Sequence, residues 1–502
     1  MKPRVRFAPS PTGPLHLGGI RTALFNYLFA KSTRGTFILR IEDTDRSRYH
    51  PESEKHIVDS LNWLGIPPDE SPTIGGPYGP YRQSQRLDIY KKHIDILLRD
   101  KKAYVAFDTS EGLEQLRNKD KSFLYNQSNR KELANSLNPQ SIYHKYQNIR
   151  SIDDVDVENF VVRLKVNQSR PFEVVDELRG IITVETQTLE DKVLLKRDGW
   201  PTYHLADIVD DYLMKITHVV RGEEWLPSLP IHRVIYDAFG WNAPKFLHLP
   251  LLLRPDKKGK ISKRDAVLNG YPIFALRWEK FAGLKELGYL PHAIINYLTL
   301  LGWSPKDLSQ RNEIFSVDQL IPDFTVRGLQ KNPAVVDFDK LKWTNRQHVS
   351  DSSTSEILNQ FDSFLTELYQ TYPPSDVENI IGLIKNRIEI GADITKEANV
   401  FIREPQINLN EAQKVYTEHW GAILDYFQSA LDFKENASLF KKNIFKWAKS
   451  KNIPLRIMMQ TLRITIVGQL SGPDLFDIIN FVSRDSLIKR VQHTKSITSK
   501  IN

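Results

Sequence analysis

Hydrophobic and polar positions near the N-terminus follow a strand–helix–strand order. Residues 4–8 alternate basic and apolar side chains, and residues 36–41 form an apolar run typical of a buried strand. Between them, apolar residues recur at helical spacing: Ile20, Ala23, Leu24, Tyr27 and Leu28. Strand-like runs return at 216–220 and 246–253. Because strand–helix–strand units are right-handed and parallel, we expect a parallel sheet with its chemistry at the carboxyl ends of the strands.

The pattern changes twice farther along the chain. From 81 to 199, helical, polar and alternating segments are mixed, and the alternating run at 160–166 predicts strands outside the parallel sheet. After about Asp339, helical periodicity dominates, as in 380–388 and 475–482. We therefore predict an α/β protein, with a parallel-sheet domain that carries a mixed α/β insertion and is followed by an all-α C-terminal half.

Composition excludes several classes of protein. The chain has 502 residues, of which 40% are hydrophobic and 26% are charged, as in globular proteins with several domains. It has no apolar run long enough to cross a membrane, and the N-terminus lacks the layout of a secretory or transit signal. We expect a cytoplasmic protein with no membrane association.

Charge and cysteine content narrow the chemistry further. The formal net charge of +8 suits a polyanionic partner, although a plain bias towards lysine would give the same number. There is no cysteine, so disulfides and thiol catalysis are excluded. The 13 histidines form no close ligand cluster in the sequence, so we expect no metal site and in particular no zinc.

The first motif that carries chemistry is APSPTGPLHLGG, residues 8–19, between the first predicted strand and helix. Gly18 and Gly19 let a nucleotide approach the backbone, and free amides at a helix N-terminus favour its phosphates. His16 can donate a hydrogen bond to ATP phosphates as negative charge shifts during attack. Taken alone, a histidine in such a turn is more often a structural cap.

The second motif is KISKR, residues 260–264, which follows the basic stretch RPDKKG. Lys260 and Lys263 flank Ser262, and two lysines in a mobile loop can stabilise a triphosphate in its transition state. A basic loop by itself is usually only a solvated surface. The presence of both motifs in one chain favours an ATP site built from the two together.

These residues resemble a known family. HLGG and KISKR look like the HIGH and KMSKS motifs of class I aminoacyl-tRNA synthetases. Four longer segments, together with residues 454–475, resemble bacterial-type glutamyl-tRNA synthetases in particular: RFAPSPTGPLHLGGIRTALFNYLFA, LRIEDTDRSRY, PTYHLADIVDDYLMKITHVVRGEEWL and KISKRD. The resemblance therefore covers nearly the whole chain.

The resemblance implies an activity and a domain plan. The activity is that of an ATP-dependent ligase, which converts glutamate and MgATP to glutamyl-adenylate and transfers the glutamyl group to the 3′-terminal adenosine of tRNA(Glu). The plan is a Rossmann-type catalytic domain in 1–80 and 200–256, an acceptor-end-binding insertion in 81–199, a KISKR loop and stem-contact domain in 257–338, and a helical anticodon-binding region in 339–502. A monomer that activates glutamate only with bound tRNA is also expected.

Site residues follow from the same resemblance. The implied catalytic groups are His16, Lys260 and Lys263, and the implied ATP contacts add Gly18, Gly19, Leu252 and Ser262. An arginine suits a side-chain carboxylate because its guanidinium binds in a bidentate manner, and a glutamate suits an ammonium group. The implied contacts to the amino acid and the terminal adenosine are Arg6, Ala8, Ser10, Glu42, Tyr203, Arg221, Glu224 and Trp225.

The chain departs from the family pattern at several positions. Gly19 replaces the second histidine of HIGH, and Ile261 and Arg264 vary the KMSKS motif while keeping both lysines. Asp207 stands where some relatives carry Asn, and a carboxylate is unfavourable beside a carboxylate substrate, which leaves its pocket role open. Residues 103–108 contain none of the cysteines that hold zinc in many relatives.

Four other functions fit part of the pattern. A glutaminyl-tRNA synthetase shares the catalytic motifs, but its C-terminal part is β-barrel, and a short tRNA-modifying paralogue lacks an anticodon-binding half. A non-catalytic tRNA-binding paralogue would lose His16 or the KISKR lysines, which are kept here. A generic nucleotide-binding protein leaves the co-occurrence of the two motifs unexplained.

Overall fold

A computed structural model describes residues 2–130, 146, 148–156, 158–167, 170–185, 188–305, 313–433 and 437–501. Part of the predicted insertion, residues 131–145, lies outside these ranges. The chain divides into two compact units. The first comprises residues 1–284 and 294–338, and the second comprises residues 285–293 and 339–502.

Short strands occur only in the first unit, as far as the described residues go. They are β1 (Arg4–Phe7), β2 (Thr36–Leu39), β3 (Ala103–Ala106), β4 (Val161–Leu164), β5 (Phe172–Asp176), β6 (Gly180–Val184), β7 (Val193–Leu195), β8 (His218–Gly222), β9 (Lys245–Leu249), β10 (Leu252–Leu253) and β11 (Ala334–Val335).

Helices occur throughout the chain. Up to residue 323 they are α1 (Leu17–Ser32), α2 (Pro51–Trp63), α3 (Leu87–Arg99), α4 (Ser110–Lys119), α5 (Tyr203–Leu213), α6 (Leu229–Phe239), α7 (Arg264–Asn269), α8 (Leu284–Leu287), α9 (Pro291–Leu300) and α10 (Val317–Asp323). Beyond it they are α11 (Phe338–Asp351), α12 (Thr354–Gln360), α13 (Thr366–Thr371), α14 (Pro374–Ile384), α15 (Ala392–Ile402), α16 (Leu409–Val415), α17 (Trp420–Ala430), α18 (Ala437–Ser450), α19 (Leu455–Val467), α20 (Leu475–Phe481) and α21 (Arg484–Ile501).

A parallel sheet forms the centre of the first unit. β1 pairs with β2 in parallel, and β8 pairs with β9 in parallel. The amide of Thr217, just before β8, donates to the carbonyl oxygen of Arg4 at 2.9 Å, so β8 lies beside β1. The connection from β1 to β2 is α1, whose apolar residues Leu17, Ile20 and Leu24 are fully buried. This arrangement confirms the predicted parallel α/β sheet.

The segment predicted to be an insertion contributes to two sheets. β3, β4 and β7 form an antiparallel sheet of their own. The β5–β6 hairpin instead extends the parallel sheet, because Asp176 of β5 pairs with Phe246 of β9. This hairpin brings Asp176 next to β9, where it contacts His248.

The secondary structure of the second unit consists of helices joined by turns, with no strand among its described residues, which confirms the predicted all-α C-terminal half. Its core consists of apolar residues at helical spacing that are inaccessible to solvent, such as Ile380, Ile381 and Ile384 of α14. Gly288 lies so close to Gly391 that a Cβ atom on Gly288 would fall 2.2 Å from the Gly391 nitrogen. Across the part of the chain that the structure describes, no helix is both long and apolar enough to span a membrane.

Candidate active site

A cleft in the first unit opens at the carboxyl ends of β1 and β8. The residues that follow each strand, together with the turn before α1 and the loop after β10, form its walls. Its lining includes every predicted site residue except Ser262: Arg6, Ala8, Ser10, His16, Gly18, Gly19, Glu42, Tyr203, Arg221, Glu224, Trp225, Leu252, Lys260 and Lys263.

His16 is the N-cap of helix α1 and lies in the wall of the cleft. Its Nδ1 atom accepts a hydrogen bond from the amide of Gly18 at 3.1 Å, which caps the helix. Burial, together with the positive charges of Lys263 and Lys260, lowers the pKa of His16 to about 4. The imidazole is therefore neutral near pH 7, with its proton on Nε2, and that N–H can donate to an oxyanion.

The two lysines of KISKR reach the same cleft from the loop after β10. The amide of Ile261 donates to the carbonyl oxygen of Leu252 at 2.8 Å, which anchors the loop beside the strand. A Cβ atom on Gly13 would fall 3.0 Å from the Lys263 amino nitrogen, so the glycine lets this lysine lie against the turn before His16. Burial lowers the pKa of Lys263.

Lys260 has a carboxylate partner. Its amino group donates to Glu224, and both side chains are about two-fifths exposed, at 40% and 39%. Burial by itself would raise the pKa of Glu224, but the hydrogen bond and the charge of Lys260, with smaller contributions from a backbone amide and His16, together outweigh it and lower that pKa. The pair therefore holds an ammonium group at the mouth of the cleft.

Ser262 is the predicted site residue that does not line the cleft. Its amide and its hydroxyl both donate to Asp265 Oδ2, at 2.7 and 2.9 Å. The serine thus stabilises the turn that leads into α7. Its contact with ATP stays a prediction.

The opposite end of the cleft contains a cluster of buried arginines and carboxylates. Arg6 donates from Nε to Asp211 at 2.9 Å and from Nη2 to Asp207 at 3.4 Å. Arg40, which is inaccessible to solvent, donates from Nη1 to Asp211 at 2.7 Å and from Nη2 to Asp207 at 2.6 Å. The same Nη2 atom donates to Glu42 at 3.2 Å.

Arg221 is held by a chain of two further residues. Its Nε atom donates to His248 Nε2 at 3.0 Å, and His248 Nδ1 lies 2.7 Å from Asp176 Oδ2. Because His248 Nε2 accepts, its Nδ1 carries the proton and donates to Asp176. Burial lowers the pKa of His248, which keeps the ring neutral. Asp176 and His248 therefore fix the orientation of Arg221.

Tyr203 and Trp225 also line the cleft. The Tyr203 hydroxyl hydrogen bonds to Ser228, and its ring lies 5.0 Å, centroid to centroid, from that of Trp225. Trp225 is 41% exposed, so its ring is accessible to solvent. Leu252, on the other wall, is buried.

Sequence reasoning missed Arg40, Asp211, His248 and Asp176. One signal was available, because Asp207, Asp210 and Asp211 are spaced i, i+3 and i+4 and must share one face of a helix. Three carboxylates on a buried helical face require cationic partners.

No group of three or more histidine, aspartate or glutamate side chains that could hold a metal ion occurs within the described ranges. The expected absence of zinc stays a prediction. The magnesium that the family resemblance implies would enter the cleft with ATP, as part of the MgATP substrate.

Two family models match the chain. The model described as the catalytic domain of class I tRNA synthetases (E and Q) matches residues 2–343, and a model described as an anticodon binding domain matches residues 356–495.

Relatives and solved structures agree with these models. A glutamate–tRNA ligase from Christiangramia forsetii is 41% identical over 98% of both chains, and one from Amoebophilus asiaticus is 42% identical over 97% of both. The crystal structure of a glutamate tRNA ligase from Elizabethkingia meningosepticum, in complex with its amino acid, is similar at a TM-score of 0.90, with 41% identity over 99% of both chains. The chain therefore belongs to the class I aminoacyl-tRNA synthetases and, within them, to the glutamate–tRNA ligases.

Proposed function

We propose that the cleft joins glutamate to ATP and then to the 3′-terminal adenosine of tRNA(Glu). One observation carries the assignment of roles: His16, Lys260 and Lys263 share a cleft with Arg6 and Arg221. A donor and two ammonium groups that suit a triphosphate thus lie in one cavity with two guanidinium groups that suit an acidic side chain.

At the amino-acid end, Arg6 and Arg221 bind the side-chain carboxylate of glutamate. Asp211 and His248 support this role, since they hold the two guanidinium groups in place before the substrate arrives. Glu42 binds the substrate ammonium, and Ala8 and Ser10 line the pocket between them. Preorganised charges of this kind favour binding because little reorganisation is needed.

At the triphosphate end, the α-carboxylate of glutamate attacks the α-phosphorus of MgATP. The bond between this phosphorus and the bridging oxygen to the β-phosphorus breaks, and pyrophosphate leaves with the negative charge. His16 donates through Nε2, and Lys260 and Lys263 stabilise the charge that shifts to the leaving oxygens. Gly18, Gly19 and Leu252 provide the surface against which the nucleotide lies.

In the second step a terminal ribose hydroxyl of tRNA attacks the carbonyl carbon of the adenylate and AMP leaves. The match of residues 356–495 to an anticodon binding domain supports anticodon reading by the helical region from 339 to 502. The strands β3, β4 and β7 are proposed to contact the acceptor end. The domain boundaries, the monomeric state and the cytoplasmic location stay predictions.

The test is charging of purified tRNA isoacceptors with glutamate and with glutamine, in parallel. We expect esterification of glutamate to tRNA(Glu) that depends on ATP and magnesium. Transfer of glutamine to tRNA(Gln), without transfer of glutamate, would contradict the proposal. Glutamate transfer to both tRNA(Glu) and tRNA(Gln) would keep the chemistry and widen the tRNA specificity.

A further inference from the structure

The pocket proposed for the glutamate side chain already contains a carboxylate of the protein. Asp207 lines the cleft, and its residue is only 6% exposed. Its Oδ2 atom lies 3.4 Å from Arg6 Nη2 and 3.6 Å from Arg221 Nη1. The two guanidinium groups that would bind the substrate carboxylate are thus partly neutralised before it enters.

The charges of this cluster would balance if all of its carboxyl groups were ionised. Four guanidinium groups face four carboxyl groups: Arg6, Arg40, Arg86 and Arg221 on one side, and Glu42, Asp207, Asp210 and Asp211 on the other. With all of them ionised the cluster is neutral. A further carboxylate would then enter a buried site without a compensating positive charge, which is unfavourable.

Two of these carboxyl groups form a pair. Glu42 and Asp207 both accept from Arg40 Nη2, at 3.2 and 2.6 Å, so two largely buried carboxyl groups share one donor. Two carboxyl groups this close together in a buried site favour a state in which the pair holds one proton.

The proton resides on Glu42 in the free protein. Burial and the Asp207 carboxylate raise the pKa of Glu42. For Asp207, burial is outweighed by Arg6, by the neighbouring Glu42 carboxyl group, by Arg40 and by Arg221 together, and its pKa is lowered. A protonated Glu42 is nevertheless unsuited to an ammonium ligand, and an ionised Asp207 is unsuited to a carboxylate ligand.

We propose that Asp207 determines the charge of the substrate side chain, because the shared proton moves from Glu42 to Asp207 when glutamate binds. The O–H bond on Glu42 breaks and one forms on Asp207, so the proton stays within the pair. Ionised Glu42 then faces the substrate ammonium. The new O–H of Asp207 donates to the substrate carboxylate beside Arg6 and Arg221. This inference rests on the proposed function of the cleft.

Neighbouring groups do not supply the missing charge at neutral pH. Asp207 is faced by charged or titratable side chains from β1, from the end of β2, from its own helix α5, from α6 and from β8: Arg6, Arg40, Glu42, Tyr203, His204, Asp211, Arg221, His232 and Tyr236. Burial lowers the pKa of both His204 and His232, so these rings are neutral. The proton of the pair is therefore the compensating charge.

Glutamate recognition should then depend on pH in a way that glutamine recognition does not. Once the pair loses its proton, both carboxylates are ionised and glutamate is repelled, whereas a neutral amide is not. Above the pKa of the pair, KM for glutamate should rise by about tenfold for each pH unit.

The experiment compares the full-length protein with Asp207→Asn, whose amide keeps a donor but removes the charge. KM values for glutamate and for ATP are measured by ATP–pyrophosphate exchange with tRNA present, from about pH 6 to about pH 8.5. We expect KM for glutamate to rise with pH in the natural protein. In the variant it should stay within about threefold of the natural value at low pH and remain flat. Asp59→Asn, which changes an exposed carboxylate on α2, should keep the natural pH profile.

Three results would overturn the inference: a flat KM for glutamate in the natural protein, an equal rise in the Asp207→Asn variant, or a loss above about tenfold in that variant at low pH. If the variant does not fold, a measurement on the natural protein alone still tests the inference. The ratio of kcat/KM for glutamate to kcat/KM for glutamine must fall as pH rises. A constant ratio would refute the inference. Absence of glutamate-dependent exchange at every pH would instead refute the proposed function.

Discussion

The charged side chains at the two ends of the cleft, proposed to bind glutamate and ATP, differ in burial and in the number of their ion-pair partners. At the amino-acid end, Arg6 is 3% exposed and Arg40 is fully buried, and each donates to two or more carboxylates. At the triphosphate end, the Lys260 side chain is 40% exposed. Among the described residues, Glu224 is its single ion-pair partner. In the proposed mechanism, the first end is assembled before substrate arrives, whereas the second offers ammonium groups to the charge that develops during the reaction.

This difference indicates a division of labour. Fixed, bidentate guanidinium groups discriminate between side chains, since a misplaced acceptor leaves buried polar groups unpaired. Ammonium groups on flexible side chains act as point charges and can follow a triphosphate as it separates. Substitutions at the amino-acid end should therefore change the use of glutamate, and substitutions at the triphosphate end should change the rate of the chemical step.

The largest effect is expected at Lys263. Lys263→Ala removes a cation that we propose acts on the transition state, so kcat for adenylate formation should fall on the order of 10²–10³-fold. ATP–pyrophosphate exchange measures this rate, and tRNA binding should persist. Lys258→Ala, in the same basic stretch but outside the cleft lining, is the matched control. Exchange close to normal in Lys263→Ala would remove this lysine from the mechanism.

Arg6→Lys tests whether the amino-acid end selects by geometry. Lysine keeps the charge near Asp211 but loses the bidentate fork, so kcat/KM for glutamate should fall by roughly 10²-fold, equivalent to about 3 kcal/mol. KM for ATP should change little. Steady-state kinetics with each substrate varied in turn provide the measurement. Equal losses for glutamate and ATP would assign Arg6 to the fold rather than to selection.

A smaller effect is expected at His248, which positions Arg221 without lining the cleft. His248→Ala leaves Arg221 Nε and Asp176 without this partner, and KM for glutamate should rise about tenfold with a smaller change in kcat. His248→Gln can accept from Arg221 and donate to Asp176, so it should recover most of the loss. Failure of glutamine to rescue, with normal folding by circular dichroism, would contradict a positioning role.

The smallest effect concerns stability at the triphosphate end. The pKa of His16 is about 4 in the folded protein, below the value of 6.5 for an unperturbed histidine. The unfolded chain therefore binds more protons between these values, and the free energy of unfolding should fall as pH is lowered from about 6.5 to about 4. Because His16 is partly exposed, we expect about 1–2 kcal/mol rather than the roughly 3 kcal/mol of a fully buried group.

His16→Asn isolates this contribution, since asparagine keeps a side-chain acceptor for the Gly18 amide at the start of α1. Urea unfolding at about pH 7.5 and about pH 5 should show a smaller difference in the variant than in the natural protein. An identical difference in both proteins would show that His16 does not lose its proton affinity on folding.

The residues that line the cleft could be predicted from the sequence more completely than the residues that hold them in position. The residues around His16 and Lys263 could be identified because their order along the chain is itself the signal. Arg40 and His248 could not, because their importance comes from partners more than 70 residues away, such as Asp176 and Asp211. Ser262 shows the converse, since its motif position suggested ATP whereas its hydroxyl contacts Asp265.

The fold was predictable to a similar degree. Apolar periodicity identified the β1–α1–β2 unit and the helical C-terminal half. It did not identify the pairing of β5 with β9, because strand pairing depends on contacts between distant segments rather than on the local pattern.

The shared carboxylates beneath the amino-acid end restrict how this enzyme can change. Asp211 accepts from both Arg6 and Arg40. Removing either arginine therefore leaves the buried Asp211 carboxylate with one cationic partner, which offsets its charge only in part. A new side-chain specificity would therefore need coordinated replacements of a cation together with its anion. Laboratory evolution that samples one codon at a time should seldom reach it, whereas libraries that vary positions 6, 207 and 211 jointly should.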